Sequence, residues 1–263
     1  MKKLLAISSA ILLAASFFMI SCTSNGPESP ENTGTPTATP TITVTSTFTA
    51  TPTVTATSTN TPVIITATFQ KNASYDLTKD TRIMSQNPTY NYGILDYTVA
   101  GYVVAGPATN RALLFFNIEL IPSNAVVTET YLTVKLNNRV GAPTLNIHRI
   151  SEEWDEGLSV GGASGDSTWN DAKTSQPWAS GSGGSFDAPS SGTTVISTGG
   201  NGDTKVLNIN NSLVQGWVTS PATNFGMLVK TNPESPGDFL VFYTKDSGLE
   251  SNRPKLTVKY YIP

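Results

Sequence analysis

Alternation of apolar and polar residues dominates the second half of the chain, and it predicts β-strands. Residues 126–136 alternate most regularly, and the side chains on one face are Val126, Thr128, Thr130, Leu132, Val134 and Leu136. The opposite face has Glu129, Tyr131, Thr133 and Lys135. Shorter segments rich in Val, Ile, Thr and Tyr, bounded by Asn, Pro and Gly, predict strands at 67–84, 97–105, 145–150, 206–209, 225–230, 239–245 and 255–262.

One apolar run and one helical pattern complete the predicted elements. The run RALLFFNI at 111–118 predicts a strand that is buried on both faces. Apolar residues spaced for one packed face predict a short helix at 213–218, and the polar residues 210–212 before it are suited to capping. About nine or ten short strands and one short helix predict an all-β fold, a β-sandwich of jelly-roll type, over residues 67–263.

The segment from His148 to Trp178 interrupts this pattern. It is polar and Gly-rich, and it contains three of the four tryptophans and the only histidine. That composition predicts a long ordered loop. Two roles for the tryptophans are open at this point, because indole rings stack on sugar rings and also pack loops onto a sheet.

The first residues have the features of a bacterial secretion signal. Two lysines precede an apolar stretch at 4–20, which predicts a signal peptide over residues 1–21. Cys22, the only cysteine, follows a small residue as in a lipobox. We therefore expect an extracellular protein that is anchored to the membrane by a lipid on this thiol and by no spanning helix. Thr23 favours the outer membrane by similarity to Gram-negative lipoproteins, and an ordinary cleavage site is the alternative.

Residues 22–66 form a predicted stalk between that anchor and the folded domain. Threonine occupies every odd position from 35 to 61, and the intervening residues are mostly small, apolar or proline. A Thr/Pro tract without charge cannot offset the entropy lost on ordering, so we expect a disordered, extended chain that is suited to O-glycosylation. At about 3 Å per residue the stalk would hold the domain on the order of 100 Å from the bilayer, and a linker with no spacing role is the alternative.

The charge and cysteine content of the folded part limit its partners. The chain has a net charge of −3, and from residue 71 onward 14 Lys and Arg stand against 17 Asp and Glu. A nucleic-acid-binding domain would be clearly basic, so we expect no such partner. A single cysteine leaves no disulfide, and stability has to come from burial.

Motifs for catalysis are weak, and we expect no enzyme. Residues 157–161 fit G-x-S-x-G but lack the strand-turn-helix context of a nucleophile elbow. His148 precedes them, and as the only histidine it cannot form a three-histidine zinc site, so we expect it to be a polar partner on a strand edge. Paired acids could serve glycoside chemistry, but four neighbouring acids more often form a solvated rim. The four acids that flank Trp154 are Glu152, Glu153, Asp155 and Glu156.

Acidic and amide side chains near turns leave a structural calcium open. Calcium takes about six to eight oxygen ligands, commonly from loop Asp, Asn and backbone carbonyls. The candidate ligands are Asp76, Asp80, Asn91, Asp96, Asp166, Asp171, Asp187 and Asp203. No segment matches a defined calcium loop, so the sequence does not determine a metal site.

A series of short motifs spans the whole domain and resembles one known family. In chain order the motifs are Asp80-Thr-Arg-Ile83, Asn91-Tyr-Gly93, Arg111-Ala-Leu-Leu-Phe115-Phe116, Trp154-Asp-Glu156, Thr168-Trp169-Asn170, Trp178 with Gly183-Gly184, Leu213-Val-Gln-Gly-Trp217 and Pro254-Lys-Leu-Thr-Val-Lys-Tyr260. Their order resembles the DNRLRE family, also classed as carbohydrate-binding module family 96. Residues 161–166 depart from the family pattern as a longer insert.

The resemblance implies a jelly-roll domain that binds polysaccharide, with acidic uronate polymers such as alginate as the known ligand class. It also implies that the tryptophans of the long loop mainly pack that loop, because family members with different ligands share them. The three tryptophans concerned are Trp154, Trp169 and Trp178.

For ligand contact we expect Tyr131, Lys135 and Arg139, on the polar face of the strand at 126–136 and in the loop after it. A cation pairs with a uronate carboxylate, and a neighbouring aromatic ring offers a flat surface to the sugar. An ordinary solvated strand face is the alternative. The sequence thus predicts a non-catalytic polysaccharide-binding surface lipoprotein, with a structural or adhesive surface protein that binds other proteins or the envelope as the second reading.

Overall fold

A computed structural model of the chain describes residues 61–162 and 166–263, and it consists mostly of antiparallel strands. The expectations for the signal peptide, Cys22 and nearly all of the stalk lie outside these residues. The strands are β1 (Ile65–Phe69), β2 (Thr78–Met84), β3 (Tyr97–Val103), β4 (Ala108–Phe116), β5 (Val126–Val140), β6 (Thr144–Arg149), β7 (Asp171–Lys173), β8 (Gln176–Pro177), β9 (Gly192–Val195), β10 (Thr204–Asn208), β11 (Met227–Thr231), β12 (Phe239–Tyr243) and β13 (Lys255–Tyr261).

Helical structure is limited in the described residues. One α-helix, α1 (Asn211–Thr219), lies between β10 and β11, and two single 3₁₀ turns are formed by Pro221–Thr223 and Glu250–Asn252. The all-β prediction and the short helix are therefore confirmed. No helix within residues 61–162 and 166–263 is long and apolar enough to cross a membrane.

Eleven strands form one large curled sheet. Its order is β1-β13-β5-β12-β3-β4-β11-β6-β9, with β10 also paired to β5 and β2 also paired to β4. The remaining two strands, β7 and β8, form a small hairpin inside the segment that was predicted as a loop. The predicted strand at 67–84 is two strands, β1 and β2, which lie in different parts of the sheet.

Strand β5 joins the two halves of the sheet and is irregular at two positions. Its first part pairs with β13 and β10, and its last residues pair with β12. The pairing with β13 skips Thr128, so Val127 is buried and Thr128 is exposed, contrary to the predicted alternation. The pairing with β12 skips Asn137 in the same way. An extra residue in one strand reverses which face the following side chains occupy.

The main core lies inside the curl of the sheet. Side chains from both halves of the sheet pack in one cluster, among them Leu132 and Val258 from one half and Leu114 and Leu240 from the other. Helix α1 adds its apolar face, and its Trp217 is almost fully buried. The strands of both halves and α1 thus bury their apolar faces in the same core.

The capping of α1 differs from the prediction. Asn210 occupies the N-cap position, but its side chain makes no capping hydrogen bond. The next residue, Asn211, instead uses its side chain across to β5, where it donates to the carbonyl of Thr128 and accepts from the hydroxyl of Thr130. Asn211, the first residue of α1, therefore fixes the helix to β5, and the N-cap residue Asn210 does not cap it through its side chain.

A second, smaller core lies on the outer face of β2, β4, β6 and β11. Leu113 of β4 packs there while its neighbour Leu114 packs in the main core, so β4 is buried on both faces as the sequence predicted. Residues 150–162 and 166–178, which follow β6 and which we call the covering segment, cover this second core through Trp154 and Trp178. The tryptophan segment is thus a layer over the sheet.

Asn91 connects the turn before β3 to this covering segment. Its side chain is fully buried, donates to the carbonyls of Glu156 and Ser167, and accepts from the backbone N–H groups of Gly93 and Ser159. A side chain at Gly93 would clash with the carbonyl oxygen of Glu156, which explains the glycine at this close approach.

Candidate functional site

The outer face of β13, β5 and β10 is mostly polar and partly exposed, although Thr257 within it is buried. Residues directly opposite each other in antiparallel strands project to the same face. The register pairs Lys135 with Thr204, Thr133 with Lys255 and Val206, Tyr131 with Thr257 and Asn208, and Glu129 with Lys259. We call the face made by these residues the lysine face. It has three lysines and one glutamate, a formal charge of +2 on a chain whose net charge is −3.

Two of these lysines have no partner in the described part of the chain. Lys135 and Lys255 form no salt bridge and no side-chain hydrogen bond within residues 61–162 and 166–263. They are diagonal neighbours on adjacent strands, which places their Cα atoms about 7–8 Å apart. Lys259 differs, because its ammonium contacts the carboxylate of Glu129 at 2.7 Å, and that hydrogen bond raises its pKa.

Tyr131 lies near the middle of the lysine face. It is partly exposed, and its hydroxyl donates no hydrogen bond to another described residue. Small polar side chains flank it on both sides, Thr257 on β13 and Asn208 on β10, so the ring has no bulky neighbour directly across either pairing. A flat aromatic and two unpaired ammonium groups thus share one surface.

Arg139 lies apart from the other two predicted ligand residues. It belongs to strand β5 and not to a following loop, and the irregularity at Asn137 separates it from Lys135. It pairs with Leu240, which is fully buried, so the side chain of Arg139 leaves the backbone on the core side of the sheet. Its guanidinium donates to the carbonyls of Gly199 (3.0 Å) and Gly141. The structure therefore places Tyr131 and Lys135 on one face of β5, four residues apart, and Arg139 on the other side of the sheet as an anchor for two loops.

Sequence reasoning missed Lys255 and Lys259 on this face. Both stand in the segment Lys-Leu-Thr-Val-Lys, whose period of two separates them from Leu256 and Val258 in the core. The alternation was visible in the sequence, but the pairing of β13 with β5 was not.

The tryptophans of the covering segment are mostly enclosed. Trp154 and Trp178 are almost fully buried, and their indole N–H groups donate to the carbonyls of Phe225 (2.8 Å) and Thr168 (3.0 Å). Trp169 is partly buried, and the guanidinium of Arg111 lies 4.9 Å from its ring centre. These contacts agree with the packing role expected for the three rings.

Ser159 and His148, the residues of the weak catalytic pattern, both make contacts within the fold. The hydroxyl oxygen of Ser159, in the G-x-S-x-G segment, accepts from the N–H of Gly162 at 2.8 Å, and residues 157–161 contain no helix. His148 is buried inside the sheet on β6, where its Nδ1 lies 2.8 Å from the carbonyl oxygen of Asp187 and its ring meets Phe186 edge-on. Burial lowers the pKa of His148.

The acids around Trp154 point in different directions. Glu153 is exposed and pairs with Lys173 at 2.6 Å, and Glu152 accepts from the N–H of Ala179, as expected of a solvated rim. Glu156 instead turns inward, and burial raises its pKa to about 7. Sequence position alone does not separate Glu156 from its neighbours, because all four acids lie in one polar segment.

Glu156 is part of a buried carboxylate cluster with Asp80 and Asp246. Oxygens of the three carboxylates lie within 4.8 Å of one another. The ammonium of Lys245 lies 3.1 Å from Glu156 and donates to both oxygens of Asp246, at 3.1 and 3.2 Å. Burial alone would lower the pKa of Lys245, but the carboxylates of Glu156 and Asp246 raise it. Lys71 also contacts Asp246, at 3.3 Å.

Asp80 is the least satisfied member of this cluster. One of its oxygens accepts from the backbone N–H of Lys245 at 2.6 Å, and the other has no hydrogen-bond partner in the described part of the chain. Burial raises the pKa of Asp80 well above its usual range. These oxygens are the ones that could take part in holding the calcium left open by the sequence, but Lys245 already supplies a cation between Glu156 and Asp246.

No protein-family model matches the chain, and no curated protein is significantly similar to it in sequence.

Proposed function

We propose that the chain is a non-catalytic polysaccharide-binding protein and that the lysine face is its binding surface. The observation on which this rests is that Lys135 and Lys255 have no ion-pair partner within residues 61–162 and 166–263 and share one face with the partly exposed Tyr131. An acidic polymer such as alginate offers carboxylates to the lysines and sugar faces to the tyrosine.

The shape of the surface also favours an extended polymer. The lysine face is part of a sheet surface, and residues of three neighbouring strands, β13, β5 and β10, form it. Lys255 and Lys259 are four residues apart on one strand, about 13 Å at the usual rise per residue. Several weak charge contacts spread over that length suit a chain ligand better than a small molecule.

The resemblance to the DNRLRE family and carbohydrate-binding module family 96 supports the same proposal. Within it, the curled sheet is a jelly-roll sandwich, residues 1–21 are a signal peptide, and Cys22 is the lipid-modified residue that holds the protein at the bacterial surface. The stalk then spaces the binding domain from the membrane. Arg139 contributes to binding in this proposal only through the loops that it anchors.

Binding to polymers in native affinity gels tests the proposal. The mature chain with Cys22→Ser should be retarded by alginate and polygalacturonate, and less by a neutral glucan. Lys135→Ala with Lys255→Ala should reduce retardation by about tenfold. Lys205→Ala is the matched control, because Lys205 pairs with Val134 and its side chain therefore leaves β10 on the face opposite the lysine face. Equal mobility of the double variant and the parent would contradict the proposal, and release of new reducing ends would contradict its non-catalytic part.

A structural or adhesive role is a second candidate, and exposed apolar side chains on two adjoining loops favour it. Ile94, Leu158 and Val160 are 42%, 82% and 66% exposed. Their loops are joined by backbone hydrogen bonds, including one from Ile94 to Ser159 at 3.2 Å. Leu158→Ser with Val160→Ser should weaken attachment of the protein to cell envelopes if this second role is correct, and should leave polymer retardation unchanged.

A further inference from the structure

A pocket of about 210 Å³ lies away from the lysine face, where the covering segment meets the ends of β4 and α1. Its lining includes the partly buried rings of Phe115 and Phe225, and the almost fully buried rings of Trp154 and Trp217. Ligand pockets for drug-sized molecules usually measure about 300–1,000 Å³, so this pocket suits something smaller, of the size of one sugar ring.

Lys79 gives this pocket an unpaired cation. Its ammonium donates to the carbonyl of Trp154 at 2.7 Å and lies 5.0 and 5.3 Å from the ring centres of Trp154 and Phe115. Within residues 61–162 and 166–263 it forms no salt bridge. Burial lowers the pKa of Lys79, against the opposing charges of Asp155 and Glu153. A partly desolvated ammonium with one of its three N–H donors used is suited to an incoming anion.

Two acids at the same pocket limit which anion it can accept. Glu119 and Glu153 belong to the lining, and the carboxylate of Glu153 is paired with Lys173. A ligand with two or more negative charges would be repelled by them. A single carboxylate on a ring with hydroxyl groups fits better, because its hydroxyls can donate to these acids while its carboxylate meets Lys79.

The remaining lining residues suit a sugar ring. Phe115 and Phe225 are only partly buried, so each presents some ring surface to the pocket. The indole N–H of Trp217 is buried and has no acceptor among the described residues. Aromatic surface for C–H groups together with unpaired polar groups is the usual composition of a small, specific binding site.

We propose that the pocket around Lys79 binds a single hexuronic acid unit, such as the end of an acidic polysaccharide chain. This inference rests on the proposed function in taking an acidic sugar as the ligand. It adds a second site, separate from the lysine face, that recognises a monomer or a chain end, whereas the lysine face binds along the chain.

Titration of the mature protein with monosaccharides tests the pocket. Galacturonate is the probe, with galactose as its neutral counterpart and inorganic phosphate as a plain anion. Galacturonate should shift the indole N–H resonances of Trp154 and Trp217 and leave that of Trp178 in place. Galactose and phosphate should bind at least tenfold more weakly. Phosphate binding as tight as that of galacturonate would overturn the assignment. So would galacturonate-induced shifts that leave the resonances of Trp154 and Trp217 in place, and both outcomes can be read from the parent protein alone.

Two variants separate this pocket from the lysine face. Lys79→Met keeps the length of the stem over the aromatic rings, and it should weaken galacturonate binding at least tenfold while polymer retardation persists. Lys135→Met should leave galacturonate binding unchanged. Retardation by polymer without monomer binding would overturn the pocket and leave the proposed function standing. Monomer binding without retardation would support the pocket and overturn the lysine face.

Discussion

The carboxylate of Glu156 accepts a hydrogen bond from the backbone N–H of Asp80 at 2.7 Å. Among the described strands β2 pairs only with β4, and Glu156 occupies a position on the other side of β2 where a neighbouring strand would otherwise bind. A charged side chain at a strand edge is a common protection against pairing with another chain. The same carboxylate joins the covering segment to β2 and, through Lys245, to the end of β12.

Glu156 should make the stability of the domain depend on pH. Its pKa is raised from an ordinary 4.5 to about 7, so the folded state binds a proton more tightly than the unfolded state. The resulting stabilisation is complete below about pH 4.5 and is lost as the pH rises through 7, and Asp80 acts in the same direction. At about 1.4 kcal/mol per pKa unit, the free energy of unfolding should fall by on the order of 3 kcal/mol over this range. Urea denaturation of Glu156→Gln should give a flatter pH profile, whereas exposed Glu119→Gln should follow the parent.

Lys245→Met should destabilise the domain, because it leaves the carboxylates of Glu156 and Asp246 without their shared ammonium. Removing one partner of a buried ion pair typically costs about 3–5 kcal/mol, and the partial exposure of Asp246 places the expected loss near or below the lower end. Lys173→Met, which breaks an exposed pair with Glu153, should cost much less, because solvent screens such a pair. Chemical denaturation at pH 7 measures both, and similar losses for the two variants would contradict the difference in burial.

Calcium should have little effect on the parent chain and a larger one on a lysine variant. Lys245 supplies positive charge between Glu156 and Asp246, so millimolar calcium or a chelator should leave the melting temperature unchanged. In Lys245→Met the three carboxylates keep their positions without that charge, and calcium should raise the melting temperature. A chelator-sensitive parent would show instead that the cluster holds a metal.

Asn91→Ala should be strongly destabilising, because it removes four hydrogen bonds in a fully buried position, three of which join the turn before β3 to the covering segment. Unsatisfied buried groups cost about 1–3 kcal/mol each, so we expect a loss of about 3 kcal/mol or more. Asn201→Ala is the control, since Asn201 is exposed and makes one contact at 3.5 Å. Thermal denaturation followed by circular dichroism compares the two.

Salt should weaken polymer binding through the lysine face. Lys135 and Lys255 are partly exposed and unpaired, so their attraction to a polyanion is screened over about 8 Å at physiological ionic strength. Raising sodium chloride from 50 to 500 mM should reduce retardation by alginate severalfold and should reduce that of the Lys135→Ala and Lys255→Ala double variant much less. Identical salt dependence in the two proteins would place the charged contacts elsewhere.

Local sequence patterns predicted the individual strands of this fold better than they predicted which strands pair and in which register. The alternation from Thr130 to Leu136 and the apolar run at 111–118 were sufficient to identify β5 and β4, because burial follows the period of a strand. The irregularities at Thr128 and Asn137 were not visible, since each depends on the register with a distant strand. For the same reason Arg139 was grouped with Lys135, and Lys255 was not considered.

The inward turn of Glu156 shows the same limit in the candidate sites. Glu153 and Glu156 lie in one acidic segment, and only the position of β2 and β12 decides which of them is buried. The pocket at Lys79 likewise combines residues from five parts of the chain, none of which forms a motif with another.

The skipped residue at Asn137 makes the charge of the lysine face depend on register as well as on composition. Uninterrupted alternation from Leu136 would place Arg139 on the side of Lys135, and the extra residue at Asn137 places it opposite Leu240 instead. Deleting Asn137 would make the pairing with β12 regular and would keep Arg139 on the core side. The register at this one position, and no change in composition, therefore keeps a further cation away from the lysine face.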